Sequence, residues 1–512
     1  MEALGGQEVL LPLANPEQIW VQSGRAGMYH DDMVRFTDRS GKNLVLAPTH
    51  EEAMVELVKS VVTSYRELPV FLYQFQTKFR NEDRTRGGLI RTREFVMKDG
   101  YSFHRSFTEL NNFFPRVFQA YERIFSQCRV PAISAEASVG MMMGDRSFEF
   151  LMPCAYGDDT VIRCASCGYT ANAEVAVGDL ERPDEEPQAV TRVETGEAHT
   201  IGQAAKALGL PRSRLAKTMV YSNAGELVFA VVRGDQEVSA EKLRSLIHTG
   251  PLELADRDEL QFHGILADFV SPIGLPRDVM ELDVALRVVV DDVVAETPNL
   301  SMAANERGVY LSNVNYARDF TAESAGDIAR VLPGARCRHC GGELVEERVL
   351  ELGHIFRLGD YYSRRLKLAF MDAKGQRFHP VMGSYGMGLG RLMAAVVEAN
   401  HDRRGINWPV ELAPYRYFLM AIGRSAKLAR LAEQIHDDMG DEVLFDDRRE
   451  SISAKFKDAD LIGVPYKIIL SHRSADRGEV ELISREFPSP RRVPIEGICS
   501  ALRDLERETN GT

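Results

Sequence analysis

The chain has 512 residues, room for three or more domains with separate cores. Its 75 acidic and 62 basic side chains leave a net charge of −13, which excludes a general polyanion binder and confines any nucleic-acid contact to a local basic face. No apolar run is long enough to span a bilayer, the first six residues are not a signal peptide, and cysteines are few, so a cytoplasmic protein is expected.

Residues 1–160 alternate strand-like and helical stretches. Residues 71–76 alternate with period two and predict a strand ending at Arg80. A polar, Gly-rich turn over 81–88 and a return strand over 89–97 complete an antiparallel hairpin. Ser106 and Glu109 have capping-box spacing, and Leu110, Phe114, Val117, Tyr121 and Ile124 then recur at helical spacing. Pro115 inside that run predicts a kink or a later start. A charged, Pro-containing linker over 181–188 opens a region reaching about residue 330. Its helix (201–208) and strands (218–221 and 227–232) predict a separate inserted domain. The earlier pattern resumes after residue 350 and closes with a Gly-rich loop and an apolar helix over 392–397. Beyond a Pro-marked boundary at 408–414, strands over 417–422, 442–445 and 467–470 predict a compact α/β module.

Two distant segments carry the chemistry. Phe79, Arg80, Asn81 and Glu82 are followed, a short loop later, by Arg91 and Phe95; far downstream come Gly386, Gly388, Gly390 and Arg391. Arginine forks grip phosphate oxygens bidentately and keep their charge, an aromatic face stacks on a base, and glycines admit a close ligand. These are the parts needed to hold ATP for attack at its α-phosphate, although neither segment is a Walker loop or a dinucleotide fingerprint.

Cys164 and Cys167 form one Cys-x-x-Cys-Gly knuckle and Cys337 and Cys340 a second. Four thiolates satisfy tetrahedral Zn²⁺ with no open position, which implies a structural metal clamping the two stems of the inserted domain. Cys128, Cys154 and Cys499 read as buried thiols.

In this setting the chain resembles bacterial-type prolyl-tRNA synthetase, a class II aminoacyl-tRNA synthetase, over essentially its whole length. The resemblance is carried by residues 9–12, the Pro48, Thr49, His50, Glu51, Glu52 run, residues 79–104, the 353–359 segment with Tyr362 and Ser363, residues 383–391, and 445–448. It implies an α+β multidomain fold. A class II antiparallel-sheet catalytic domain would occupy 1–180 and 331–410, an inserted α+β editing-like domain 181–330, and a C-terminal α/β anticodon-binding domain 411–512. The implied activity is ATP-dependent ligation of proline to tRNA(Pro) through prolyl adenylate, with ATP, Mg²⁺ and structural Zn²⁺ as cofactors and a homodimer as the assembly.

By the same resemblance Thr49 and Glu51 hold the imino nitrogen of proline, and Arg80 bridges its carboxylate and the α-phosphate. Glu82 and Phe95 hold adenine, Arg91 belongs to the ATP site, and Arg391 takes the γ-phosphate. His354, Phe356 and Ser384 line the proline side. Lys217 and the Arg233, Gly234, Asp235 turn match the editing pattern, and Arg448, Arg449, Lys455 and Lys457 are the implied anticodon contacts.

The sequence also departs from the family. The family's N-terminal segment, with the long motif 1 helix, is expected to be missing before Met1. Phe148 stands where the family has histidine, preceded by three methionines at 141–143, and Ser384 stands where it has cysteine. Asp268 and Ser271 replace glycines and Tyr310 a histidine in the insertion, which predicts weak or lost editing of alanyl-tRNA. In the tail, Ser451, Ile452, Ser453 and Ala454 replace a Ser-Pro-Gly turn. Two alternatives follow: a divergent paralogue activating a proline analogue, and a non-catalytic tRNA-binding regulator.

Overall fold

The computed structural model describes residues 1–512 except 30, 31, 224, 250, 251, 275–284, 424, 486–488, 511 and 512. It divides into two compact units: residues 1–81, 97–117 and 133–387, and residues 82–96, 118–132 and 388–512.

The first unit is organised by a nine-stranded sheet. In spatial order its strands are Gln7–Glu8, Val70–Phe79, Glu94–His104, Val381–Gly388, Leu344–Gly359, Arg146–Pro153, Ile133–Ala137, Thr170–Asn172 and Asp159–Cys164. The pairs that position the site are antiparallel: Phe356 faces Ser384, His354 faces Gly386 on one side and Glu149 on the other, and Ile355 lies between Tyr385 and Phe148. Successive side chains point to opposite faces of a sheet, so His354, Phe356 and Ser384 share one face and Ile355, Tyr385 and Phe148 the other.

Residues 107–117 of helix Phe107–Gln127 pack on the second face. Leu110, Phe114, Val117 and Tyr121 are buried, as the helical spacing requires. Phe113 meets Phe71 at 5.2 Å between ring centroids, and Phe114 meets Tyr385 at 6.1 Å and Phe148 at 6.3 Å. Burying each such ring contributes about 2–3 kcal/mol. The helix starts at Phe107 and runs through Pro115, so the later start is not observed. Ser106 Oγ accepts from Glu109 N as a cap, while the Glu109 carboxylate takes the N–H of Arg105. The sequence hairpin is shifted: its strands are Val70–Phe79 and Glu94–His104, and the polar link reaches Arg93.

Residues of the predicted insertion form two further sheets. The five-stranded one runs Glu253–Leu254, Ala216–Asn223, Glu226–Arg233, Ala285–Asp291 and Ser324–Gly326; the three-stranded one runs Thr191–Glu194, Val309–Val314 and Leu300–Ala303. They enclose their own apolar clusters, such as Val228, Ala230, Val232, Leu243 and Val289. Helix Ile201–Leu208 matches its expected bounds and opens on a Thr200–Gln203 capping box.

In the second unit, strands Val443–Asp446, Tyr417–Ile422, Tyr466–Ser471, Glu479–Ser484 and Arg491–Pro494 form a mixed sheet. Leu428, Ala432, Ile435 and Met439 line one face of helix Ala426–Met439 and pack into its core. Ser451 Oγ caps helix Ile452–Ile462 through the N–H of Ala454 at 3.2 Å, which gives the altered turn a local role. No described helix is long and apolar enough to cross a membrane.

Candidate active site

The first unit gathers a buried polar cluster on the other face of its sheet. Helix Glu51–Val61 begins directly after Thr49 and His50 and directs Glu51 inward. Glu51 is fully buried. Its Oε2 accepts from Thr49 Oγ1 at 2.6 Å, and its Oε1 accepts from Ser384 Oγ at 2.9 Å. Thr49, Glu51 and Ser384, predicted from segments more than 300 residues apart, thus meet at one carboxylate, and Phe356 faces Ser384 across the strand pair. Arg80, at the end of Val70–Phe79, sends its Nε to the carbonyl of Pro48 at 3.4 Å, immediately before Thr49.

A second buried network supports this floor. Asp99 accepts from Lys78 Nζ at 2.7 Å, Gln74 Nε2 at 2.8 Å and Tyr101 Oη at 2.8 Å, and the Tyr101 oxygen accepts the His50 N–H at 3.2 Å. Every polar atom of the Asp99 carboxylate is therefore engaged, which a buried charge requires. Burial lowers the His50 imidazole to about 3, so it is neutral, and its Nε2 lies 3.0 Å from the Pro12 carbonyl.

His354 stacks on Phe356 with centroids 3.9 Å apart. Its Nδ1 lies 3.3 Å from Glu351 and 3.6 Å from Glu149. Burial raises the Glu149 carboxyl to about 7, and Asn172 Nδ2 donates to it at 2.9 Å. Phe148, in contrast, lies on the helix-covered face with Phe114. The missing imidazole at that position therefore faces the sheet's packing side and leaves the His354 side unchanged.

The second unit holds the other predicted group. The loop closes through reciprocal Arg86 and Arg91 backbone bonds, both 3.1 Å. Arg91 grips Glu82 Oε2 through Nε at 2.8 Å and Nη2 at 2.5 Å. Arg391, in the first turn of helix Leu389–Ala399, donates its Nε to the Ile90 carbonyl at 2.8 Å. Glu82, Arg91 and Arg391 are thus tied to one loop, beside half-buried Phe95.

The four knuckle cysteines converge. Cys164 and Cys340 sulfurs are 3.5 Å apart, Cys167 and Cys337 sulfurs 3.7 Å, and all four lie within 4.8 Å of one another. Tetrahedral zinc with its usual thiolate bonds would set sulfurs about 3.8 Å apart. Gly168 and Gly341 adopt φ of 78° and 74°, the left-handed turn a knuckle needs. The donor set fits the metal. Of the remaining cysteines, Cys154 is buried and Cys128 and Cys499 are only partly so.

The remaining predicted residues are dispersed. Lys217 pairs with Glu237 at 2.5 Å, and Asp235 chelates Arg233 at 2.7 and 2.9 Å. Asp268 accepts from Arg257 at 2.6 Å and lies 3.3 Å from His199 Nδ1. In the tail, Arg448 is held by Asp446 and Asp458, each at 2.8 Å. Lys455 is buried and donates to the Asp446 carbonyl at 2.7 Å, whereas Arg449 and Lys457 are exposed. The inward turn of Lys455 corrects the expectation of a surface contact there; its ammonium braces the Asp446 turn.

Sequence reasoning missed Arg25, which has no exposed surface and meets both Glu51 and Glu52. It sits in a short polar stretch, Ser23, Gly24, Arg25, with nothing local to distinguish it from a surface turn.

Residues 34–400 match the tRNA synthetase class II core domain (G, H, P, S and T), and residues 419–505 match the anticodon binding domain. The proline–tRNA ligase of Dehalococcoides mccartyi is 41% identical over 503 residues, covering 97% of this chain and 87% of its relative. That of Aquifex aeolicus is 39% identical over 517 residues, covering 99% and 89%. The fold is similar to the crystal structure of Cryptosporidium parvum prolyl-tRNA synthetase complexed with L-proline and AMP, with a TM-score of 0.53, 12% identity, and 99% and 67% of the two chains covered. The chain belongs to the proline–tRNA ligase family of class II aminoacyl-tRNA synthetases.

Proposed function

We propose that this chain ligates proline to tRNA(Pro) in two ATP-dependent steps. The observation that carries the reading is the buried Glu51 carboxylate, held by Thr49 and Ser384 at the floor of the first unit's pocket. A buried carboxylate with two hydroxyl donors suits a secondary ammonium, which brings one positive charge and two N–H donors. The stacked His354 and Phe356 offer an apolar wall for the pyrrolidine ring.

In the first step a proline carboxylate oxygen attacks the α-phosphorus and pyrophosphate leaves. Arg80 would neutralise charge building at that phosphorus, and Arg391 would take the γ-phosphate. Arg91, through its fork on Glu82, would fix that carboxylate for adenine, and the Phe95 ring would stack on the base. Mg²⁺, carried in with ATP, supplies further neutralisation of the phosphates. No covalent enzyme intermediate is needed: alignment and fixed charge suffice. In the second step the 3′-terminal hydroxyl of the tRNA attacks the adenylate carbonyl and AMP leaves. Exposed Arg449, with Arg448, is the proposed anticodon contact in the tail. Labelled proline incubated with the chain, ATP and tRNA(Pro) is expected to become tRNA-bound; no charged tRNA from a folded sample would refute the reading.

The reading includes a structural zinc on Cys164, Cys167, Cys337 and Cys340, a cytoplasmic location and a homodimer. Metal analysis of protein purified without chelator is expected to give one zinc per chain, and Cys167→Ser to remove it and lower the Tm. Editing of alanyl-tRNA is proposed to be weak or lost. Asp268 is drawn aside by Arg257 and His199, and Ser271 is fully buried, its backbone bonded both ways to Asn305. Incubating alanyl-tRNA(Pro) with the chain is expected to release alanine little faster than buffer does.

A further inference from the structure

Arg25 lies in the first unit with no exposed surface. Its Nη1 reaches Glu52 at 3.1 and 3.2 Å and Glu51 Oε2 at 3.4 Å. Its Nη2 meets Tyr29 Oη at 2.9 Å. The guanidinium carbon sits 5.0 to 5.3 Å from the ring centroids of Trp20, Tyr29 and Tyr362, an aromatic cage around a cation. Ser23 Oγ donates to Glu52 at 2.8 Å. Burial raises the Glu52 carboxyl, and Arg25 acts against that rise.

The same guanidinium holds a second element. Arg25 Nε donates to the Met141 carbonyl at 3.2 Å, and its Nη2 lies 3.2 Å from the Met142 sulfur. Tyr362 Oη adds a bond to the Met142 carbonyl at 2.8 Å. These residues form the short turn Gly140–Met142 that leads into strand Arg146–Pro153. At its far end Asp145 is chelated by Arg357 at 2.7 Å twice. Gly144, at φ 109°, passes so close to the Arg357 carbonyl that a side chain there would collide with it.

One guanidinium therefore faces two buried carboxyl groups. We propose that Arg25 is the positioning residue of the amino-acid pocket: it holds Glu51 in place for an incoming ammonium and fastens the 140–142 turn to that carboxylate. This rests on the reading of Glu51 as the ammonium's partner. A fork is required, because a lysine head offers a point charge and cannot serve both carboxylates and the Met141 carbonyl in fixed geometry.

Steady-state ATP–pyrophosphate exchange with the full chain tests it, varying proline and ATP separately. Arg25→Met is expected to raise the KM for proline about 30-fold, the scale of truncating one partner of a buried charge pair, with the KM for ATP unchanged. Arg25→Lys is expected to recover part of that loss. Should Arg25→Met not fold, the double variant Arg25→Met/Glu52→Gln removes one charge of each sign, and its KM for proline is expected to rise at least about 10-fold. A folded variant with the wild-type KM for proline, or one in which both KM values rise together, would overturn the proposal. No exchange by the wild-type chain would instead strike down the proline reading itself, and this inference with it.

Discussion

Replacing Glu51 by Gln is expected to raise the KM for proline roughly 100-fold or more while the KM for ATP stays nearly constant. The substitution keeps the side chain's shape and removes its charge. One of the Thr49 and Ser384 hydroxyls can still donate to the remaining oxygen while the other turns to accept from the new amide nitrogen, so the pocket keeps its form. What is lost is the anion facing the ammonium in a site without solvent to replace it. Arg25 then has Glu52 alone, a balanced pair, so the fold is expected to survive. Exchange assays at varied proline, with circular dichroism to confirm folding, check this. Equal rises in both KM values would mean the carboxylate serves the architecture instead.

Arg80→Ala is expected to lower kcat for exchange by about 1,000-fold, since an arginine placed on a transferring phosphoryl group contributes on that scale. Arg80 is half-buried at a strand end, with its Nε 3.4 Å from the Pro48 carbonyl, and a thermal melt of the variant checks that it folds. Arg80→Lys is expected to recover little, because a point charge cannot span two oxygens as a fork does. Single-turnover measurement of adenylate formation separates this from slow product release. Near-normal kcat in Arg80→Ala would mean the guanidinium lies away from the chemistry.

Much of this architecture is legible in the sequence. Period-two alternation marks Val70–Phe79, helical spacing marks Phe107–Gln127, and the paired Cys-x-x-Cys-Gly knuckles foretell the four-sulfur cluster. Those signals are local, and local physics produces them. The strand Leu344–Gly359 is less legible, because its 16 residues pair with three different partners and its pattern follows that burial. Pro115 misled the estimate of the helix start because the apolar face packed on the sheet outweighs one lost hydrogen bond.

The site divides the same way. Thr49, Glu51 and Ser384 could be named from motifs, but their meeting at one carboxylate could not be read from spacing. Lys455 follows a charge pattern that suggests a surface, yet tertiary packing turns it inward to Asp446. Phe148 looks like a change of chemistry in sequence, and strand register puts it on the packed face. Arg25 carries no sequence signal because its importance comes from burial among Trp20, Tyr29 and Tyr362.

The central claim is that the Glu51 pocket selects proline for activation by ATP. Isotope exchange between pyrophosphate and ATP, measured on the purified chain with each of the twenty amino acids in turn, tests it most directly. Rapid exchange with proline, and weak exchange with alanine and the rest, is the predicted result. Exchange driven best by another amino acid, or by none, would contradict it.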